Sequence, residues 1–253
     1  MLVLALESAT ETAAVAVADE GGPLGSLVVA RGRRHTETLA SAVEALCRRT
    51  GVGLHDLDLL GVDVGPGLFT GLRVGVGTVK ALAFALDLPV ATGTSLEVLA
   101  HAVAGSGAAE GTLIVPVVDA RRGEVFSARF RARPGPGGPT AATDGAAGAV
   151  PEGRWEPEAL AADLAGRPEP LVLVGDGALR HAAVFGAVAG ATLAGPAYAA
   201  PPVTALAELS VARGLAGRVH DAADVMPLYL READARINWE QRSAPRAPAG
   251  GGR

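Results

Sequence analysis

Two stretches of the chain share one pattern: residues 2–18, LVLALESATETAAVAVA, and residues 113–130, LIVPVVDARRGEVFSARF. Each begins with an apolar run, passes through a polar turn that carries a carboxylate, and ends in a second apolar run. This pattern is typical of a strand, a turn and a second strand. Because it opens each half of the chain, it indicates a weak internal repeat.

The segments that follow each repeat alternate between strands and helices. The apolar spacing predicts further strands at 24–30, 59–64 and 171–174, and helices at 36–50, from the glycine-rich turn 65–71 to residue 86, at 94–104 and at 203–215. Thr94 and Glu97 have the spacing of a helix capping box. This order predicts an α/β chain of two duplicated lobes, for which the actin-like ATPase (ribonuclease H-like) fold is the candidate.

Composition divides the chain into four parts. An N-terminal lobe is predicted at 1–106 and a C-terminal lobe at 107–200. The C-terminal lobe contains a Pro-, Gly- and Ala-rich stretch at 132–149 that is typical of a mobile loop. Residues 201–240 are predicted to return toward the N-terminal lobe, and 241–253 form a tail predicted to be disordered.

The overall charge argues against a protein that binds nucleic acid by itself. The chain has 253 residues, 49% of them hydrophobic, and a net charge of -5. A sizeable core is therefore expected, whereas autonomous nucleic-acid binding usually needs a basic face. A local patch of Arg31, Arg33 and Arg34 still offers a contact for phosphate.

We expect a cytoplasmic protein without a membrane span. The N-terminus shows no basic region and no cleavable signal pattern. The longest apolar stretch, 74–92, is interrupted by Lys80, Asp87 and Pro89. The single cysteine, Cys47, excludes an internal disulfide and is expected in the core.

Two predicted helices carry apolar stripes at helical spacing. The stripe of the first is formed by Leu39, Val43 and Leu46. The stripe of the second is formed by Leu72, Val76, Val79 and Ala83. Gly71 and Gly75 are four residues apart on the second helix, and small residues there permit close approach of another backbone.

Five segments in order resemble the TsaB (YeaZ) family of the actin-like ATPase superfamily, which is related to the glycoprotease family. They are LALESAT at 4–10, HTETL at 35–39, GPGLFTGLRVG at 65–75, DARRGEVF at 119–126 and PLYLR at 227–231. Each segment alone is weakly specific, but the ordered set is specific. The resemblance covers residues 1–130 well and about 171–240 loosely.

The resemblance implies a dimerising subunit without catalysis of its own. Members of that family pair with a catalytic sibling, TsaD, and the ATPase TsaE joins them. The complex transfers a threonylcarbamoyl group to the adenosine next to the anticodon in tRNAs that read A-starting codons. The family uses its first two helices as half of a four-helix interface. The stripe residues above, with Gly71 and Gly75, are therefore the predicted partner interface, and homodimers are expected when the partner is absent.

The same resemblance implies that no metal is bound. TsaD binds its metal through a His-x-x-x-His pair, and the matching positions here are Ser95 and Leu99, which are not a ligand pair for a transition metal. The remaining histidines show no metal-binding spacing; they are His55, His101, His181 and His220.

Four residues are candidate nucleotide contacts: Glu7, Thr10, His35 and Gly67. Turn 65–71 either cradles a phosphate before a helix or is only a tight structural turn, and it lacks the Lys-Ser/Thr of a P-loop. Glu7 either holds Mg²⁺ through water or forms a hydrogen-bonded turn. His35 contacts a partner or a nucleotide, or only marks a polar helix entry. The isolated chain is expected to bind no cofactor, with ATP or ADP and Mg at the junction of the complex as the alternative.

The acidic turn that opens the second half of the chain also has two interpretations, one structural and one functional. Asp119, Arg121 and Glu124 are expected to form a turn network, with a functional role as the alternative. Two rival functions follow from the fold class and the glycoprotease relationship. The chain could be an autonomous ATPase or sugar kinase, but it lacks the Asp-x-Gly-Thr pattern. A metalloprotease would need metal ligands that the sequence does not show.

Overall fold

The computed structural model describes residues 1–30, 35–133, 140–141 and 152–230, with the backbone alone at 35–37 and 140–141. Arg31, Arg33 and Arg34, most of the 132–149 stretch and the 241–253 tail lie outside the described residues. The predictions made for them stay predictions.

The first half of the chain forms a five-stranded sheet. Its strands are β1 (Val3–Glu7), β2 (Ala13–Asp19), β3 (Gly22–Val29), β4 (Leu59–Asp63) and β5 (Val90–Gly93). They lie in the order β3-β2-β1-β4-β5. The first three are antiparallel neighbours, while β4 and β5 run parallel to β1. The predicted opening of two strands and a turn is therefore the centre of this sheet.

The second half repeats this arrangement. Its strands are β6 (Leu113–Arg121), β7 (Glu124–Ser127), β8 (Phe130–Arg131), β9 (Thr140–Ala141), β10 (Gly153–Trp155), β11 (Leu171–Val174) and β12 (Ala191–Leu193). The order β10-β7-β6-β11-β12 has the same antiparallel and parallel pairings as the first sheet. The short strands β8 and β9 add to the start of β6. The predicted duplicated α/β fold is confirmed.

Helices cover both faces of the first sheet. The helices are α1 (His35–Thr50), α2 (Phe69–Leu86), α3 (Ser95–Gly105), α4 (Pro157–Leu164), α5 (Asp176–Arg180), α6 (Ala182–Phe185) and α7 (Val203–Leu215). Since side chains alternate along a strand, Leu4 and Leu6 face α1 and α2, whereas Val3 and Ala5 face α7. Helix α7 thus packs on the first sheet, although in the sequence it comes after the strands of the second sheet.

Helix α3 joins the two halves. It packs against β6 of the second sheet and against α7. At its start, Thr94 Oγ1 accepts a hydrogen bond from Glu97 N, and Thr94 N donates to the Glu97 carboxylate, so the predicted capping box is confirmed. Glu97 also accepts a hydrogen bond of 2.7 Å from Arg213 of α7. The helix is thereby fixed to both lobes.

Candidate functional site

The side chains predicted to form the partner interface are buried against the chain's own sheet, which contradicts an exposed interface built from them, although Val43 also lines the surface groove described below. Leu39, Val43 and Leu46 of α1 are at most 6% exposed. Leu72, Val76, Val79 and Ala83 of α2 are at most 3% exposed. Except for Leu72, these side chains belong to the core cluster on one face of the first sheet. An apolar stripe at helical spacing identifies the inward face of a helix, and here the chain's own sheet covers it.

The notch at Gly71 and Gly75 is also filled by the chain itself. Ser8 Oγ, in the turn after β1, donates a 2.9 Å hydrogen bond to the Gly71 carbonyl. A Cβ at Gly75 would lie 2.2 Å from Ser8 Oγ. The two glycines were predicted to permit close approach of another backbone, but the group that lies against them is the Ser8 side chain of the β1–β2 turn.

The outward face of α2 remains open in the described chain. Gly77, Ala81 and Ala85, spaced four residues apart, are exposed along it. Phe84 is 89% exposed, an unusual state for a phenylalanine. Among the described helices, α2 alone is long and apolar enough to cross a membrane, and 33% of it is buried. Because its inner face belongs to the core of the first sheet, its outward apolar surface points to a binding face rather than a span.

An apolar groove between α1 and α2 adjoins this face. It has a volume of about 270 Å³ and is lined by Ala40, Val43, Glu44, Cys47, Leu54, Thr78 and Leu82. Cys47 is half-buried here, and burial raises the pKa of its thiol. The outward surface of α1 and α2, which we call the docking face, therefore contains small and apolar residues with a cleft between the helices.

A segment near the C-terminus borders α2 on its other side. Lys80 Nζ donates to the carbonyls of Ala223 and Val225 at 3.0 and 3.1 Å. Leu228 N donates to the Val64 carbonyl at 2.7 Å. Residues 221–230, here called the strap, are thus tied along the helix.

The end of the strap forms an aromatic cluster with the start of α2. Tyr229 lies 5.1 Å from Phe69 between ring centroids, and Arg73 stands 4.0 Å above the Phe69 ring. Arg73 Nε donates to Tyr229 Oη at 3.3 Å. Phe69, Tyr229 and Met226 are 38%, 43% and 68% exposed. The apolar surface of the docking face is thereby extended along the strap.

A second feature is a cavity of about 290 Å³ between the two lobes. The N-terminal lobe contributes Ala9, Thr10, Glu11, Thr12, Gly67 and Leu68, and the C-terminal lobe contributes Val118, Asp119, Arg121, Asp176 and Arg180, with Ala199 and Ala200 at its edge. Thr10 and Gly67, two candidate nucleotide contacts, meet here. The side chain of His35, a third candidate, lies outside the described residues.

Charged side chains of the cavity are paired with one another. Arg121 is 3.4 Å from Glu11 of the other lobe and 3.4 Å from Asp119. Arg180 is 3.3 Å from the same Asp119 oxygen, and Asp119 N donates to Asp176 at 2.9 Å. The predicted turn network at Asp119 and Arg121 is confirmed, while Glu124 pairs with Arg154 instead.

Two residues of this cavity were not predicted from the sequence as candidate site residues. Asp176 and Arg180 stand far along the chain from Asp119. The Gly175-Asp176-Gly177 turn at the end of a predicted strand was the signal that could have indicated Asp176.

Glu7 does not line this cavity, so its proposed nucleotide contact is wrong for the chain as folded. It shares the strand face of Val3 and Ala5, is 0% exposed, and hydrogen bonds to Asp63 at the end of β4. Its Oε1 accepts from Ala9 N at 2.7 Å, which confirms the hydrogen-bonded turn. Burial, then the negative charge of Asp63, raises the pKa of Glu7 well above its usual range. The raised pKa favours the protonated form of Glu7, which donates its hydrogen bond to Asp63.

Asp63 is the accepting partner of this pair. Its Oδ1 accepts hydrogen bonds from Gly65 N at 2.6 Å and from Ser95 Oγ at 2.9 Å. Burial raises the pKa of Asp63, while the hydrogen bonds from Glu7, Gly65 and Ser95 oppose that shift. In the described residues, Glu7 Oε2 and Asp63 Oδ2 have no hydrogen-bond partner besides this pairing.

The positions matched to a metal pair are packing positions. Ser95 and Leu99 are 0% exposed; Ser95 donates to Asp63, and Leu99 belongs to the core beneath the second sheet. Within the described part of the chain, no group of three or more His, Cys, Asp or Glu side chains could hold a metal ion.

Fold and surface together define a duplicated α/β chain of the actin-like ATPase superfamily with an open helical face. The model of the family described as TsaD, tRNA N6-adenosine threonylcarbamoyltransferase, matches residues 8–148, more than half of the chain. The chain belongs to this family, and several of its curated relatives are named TsaB, while one from Geotalea uraniireducens is named tRNA N6-adenosine threonylcarbamoyltransferase.

Curated relatives and solved structures agree on that group. The TsaB protein of Bacillus subtilis is 32% identical over 53% of this chain and 57% of its own length. The TsaB protein of Escherichia coli is 31% identical over 52% of this chain and 55% of its own. The chain thus spans about half the length of these curated relatives in the matched region. The structure of YeaZ from Pseudomonas aeruginosa has a TM-score of 0.72 at 26% identity, covering 90% of this chain and 99% of that one.

Proposed function

We propose that this chain is the non-catalytic docking subunit of a complex that transfers a threonylcarbamoyl group to the adenosine next to the anticodon in tRNAs reading A-starting codons. The observation that carries the proposal is the outward face of α2, with Phe84 89% exposed beside Gly77 and Ala81. A surface of this kind is costly to leave in water and is typical of a protein interface.

The proposed partner is a TsaD-type sibling that contributes a matching pair of helices. Small residues along α2 allow a facing helix to approach closely, and ridge-into-groove packing would seat it in the cleft between α1 and α2. A second copy of this chain is expected on the same face when the sibling is absent. The ATPase TsaE is the proposed third component, and the complex is expected in the cytoplasm.

Several features support a role without catalysis. Ser95 and Leu99 pack in the interior where the catalytic sibling is expected to bind its metal. Glu7 is hydrogen-bonded to Asp63 and does not face the interlobe cavity. The net charge of -5 favours a partner as the main tRNA-binding component.

We propose that a nucleotide binds at the junction of the complex only when the partner contributes part of the binding site. Thr10 and Gly67 line the interlobe cavity, but its Asp119 carboxylate is already engaged by Arg121 and Arg180. We therefore expect no Mg-ATP binding by the isolated chain.

Reconstitution with purified components tests the role. The modified nucleoside in tRNA is quantified by mass spectrometry after incubation with this chain, with the sibling, or with both, in the presence of TsaE, ATP and the threonylcarbamoyl adenylate. We expect product only when the chain and the sibling are combined. Product from this chain with no sibling would refute the non-catalytic role, and ATP turnover by the chain alone would favour the autonomous ATPase.

A further inference from the structure

The docking face and the interlobe cavity share one packed unit, the turn of residues 8–12 between β1 and β2. On one side this turn is locked to the first turns of α2. Leu68 N donates to the Ala9 carbonyl at 2.6 Å, and Ser8 Oγ donates to the Gly71 carbonyl at 2.9 Å.

Two glycines allow the 8–12 turn to pack so closely on α2 that the two elements cannot slide past each other. A Cβ at Gly67 would lie 2.2 Å from the Ala9 carbonyl oxygen, and one at Gly75 would lie 2.2 Å from Ser8 Oγ. Real Cβ atoms do not approach so closely, so the turn and α2 fit only in this register. Because close-packed elements transmit displacement rather than absorb it, a shift of α2 must move the turn.

On its other side the same turn reaches across the cavity. Glu11 lies 3.4 Å from Arg121, which also contacts Asp119 of its own lobe. Arg121 has a φ of 64° and Arg122 a φ of 56°, a left-handed backbone that ordinary residues adopt rarely. These φ values belong to the tight turn that joins β6 to β7, where positive φ is ordinary, and to the register shift just before it. The hairpin thus places Arg121 in the lining of the cavity.

We infer that docking on α2 and the width of the interlobe cavity are coupled through the 8–12 turn. The Glu11–Arg121 ion pair, here called the clasp, is the contact that links this turn to the other lobe. The inference rests on the proposed function for the identity of the docked partner. An exposed ion pair contributes little to stability, which suits a clasp that opens and closes. Coupling of this kind is reciprocal, so loosening the clasp must change partner affinity by the same factor that docking changes the clasp.

The first test uses the chain without a partner. Spin labels at Ser26→Cys and Glu158→Cys, both exposed and on different lobes, report the interlobe distance in a Cys47→Ser background. Gly75→Ala disturbs the junction with Ser8. Gly77→Ala adds the same methyl group to the same helix where nothing lies within 4 Å.

We expect Gly75→Ala and Arg121→Gln each to shift or broaden the distance distribution, and Gly77→Ala to leave it as in the wild type. Arg121→Gln keeps the test decisive if Gly75→Ala fails to fold. Identical distributions for wild type and Arg121→Gln, or for all folded variants, would overturn the inference.

The second test adds the TsaD-type sibling and repeats the distance measurement. The wild-type distribution should shift on complex formation, and Arg121→Gln should change the dissociation constant at least twofold although it lies outside the docking face. A complex that forms with no shift and unchanged affinity overturns the coupling. Failure to form any complex overturns the proposed function, while the partner-free experiment still decides the mechanical link.

Discussion

At the scale of single residues, the buried pair formed by Glu7 and Asp63 is the most unusual electrostatic feature of the first lobe. Two buried carboxyl groups in contact cannot both ionise without a large penalty, so one proton stays between them. After burial, the negative charge of Glu97 further raises the pKa of Asp63, and Glu97 is itself paired with Arg213 at 2.7 Å. The sequence marks Glu7 as a carboxylate at the end of a strand, but only the fold shows which face it occupies.

This pairing predicts a dependence of stability on pH. The pKa of Glu7 is raised in the folded state, so the folded protein binds this proton more tightly than the unfolded chain does. The resulting stability is fully present below the unfolded pKa and is lost as pH rises through the folded pKa. Glu7→Gln keeps a donor toward Asp63 and removes the titration. We therefore expect its free energy of unfolding to fall less than that of wild type between about pH 5 and pH 8.

Denaturant titrations at several pH values measure this difference. Glu11→Gln, which removes an exposed carboxylate from the same turn, serves as the control and should keep the wild-type slope. Equal slopes for Glu7→Gln and wild type would show that the pair does not retain its proton.

At the scale of elements, helix α2 shows what periodicity establishes. Its stripe identified Leu72, Val76, Val79 and Ala83 as one face, and the structure confirms that these residues share one face. The sequence could not decide whether a sheet or a partner covers that face, since both favour the same apolar residues. The sequence did not predict the opposite face as exposed, because its residues are small and apolar rather than charged.

The two central glycines of α2 should respond oppositely to the same change. Gly75→Ala forces Ser8 aside and should destabilise the fold by about 1–3 kcal/mol. Gly77→Ala meets open space and should stabilise the helix by about 0.5–1 kcal/mol through its higher helix propensity. Urea titration of both variants measures the difference. Equal effects would mean that the Ser8 contact is not tight.

Lys80 of α2 anchors the middle of the strap, apart from the aromatic contacts at its end. Lys80 supplies two hydrogen bonds to backbone carbonyls of the strap, and Lys80→Met keeps the aliphatic stem while removing both. We expect faster amide hydrogen exchange at residues 223–226 and 228, and a loss of about 1–3 kcal/mol in unfolding free energy. Arg48→Met, on the exposed side of α1, is a control that should leave exchange in the strap unchanged. Unaltered exchange in Lys80→Met would show that the strap is held by its apolar contacts alone.

At the scale of the whole molecule, the duplicated architecture could be predicted because each half repeats the same strand, turn and strand. The interlobe cavity could be predicted only in part. Thr10, Gly67, Asp119 and Arg121 stand beside recognisable turns, whereas Arg180 lies in a short helix with no distinctive pattern. Contacts between lobes arise from tertiary packing over long separations in sequence, which local patterns do not contain.

The docking face is the central claim, and binding to the TsaD-type sibling by size-exclusion chromatography with light scattering tests it most directly. The matched variants are Phe84→Glu, on the docking face, and Leu215→Glu, at the end of α7 on the opposite side of the first sheet. Both place a charge at an exposed apolar position, since Phe84 and Leu215 are 89% and 61% exposed. We predict that wild type and Leu215→Glu form the complex and that Phe84→Glu weakens it roughly tenfold or more. A complex that Phe84→Glu forms as tightly as wild type, or no complex with the wild-type chain, would contradict the docking role of α2.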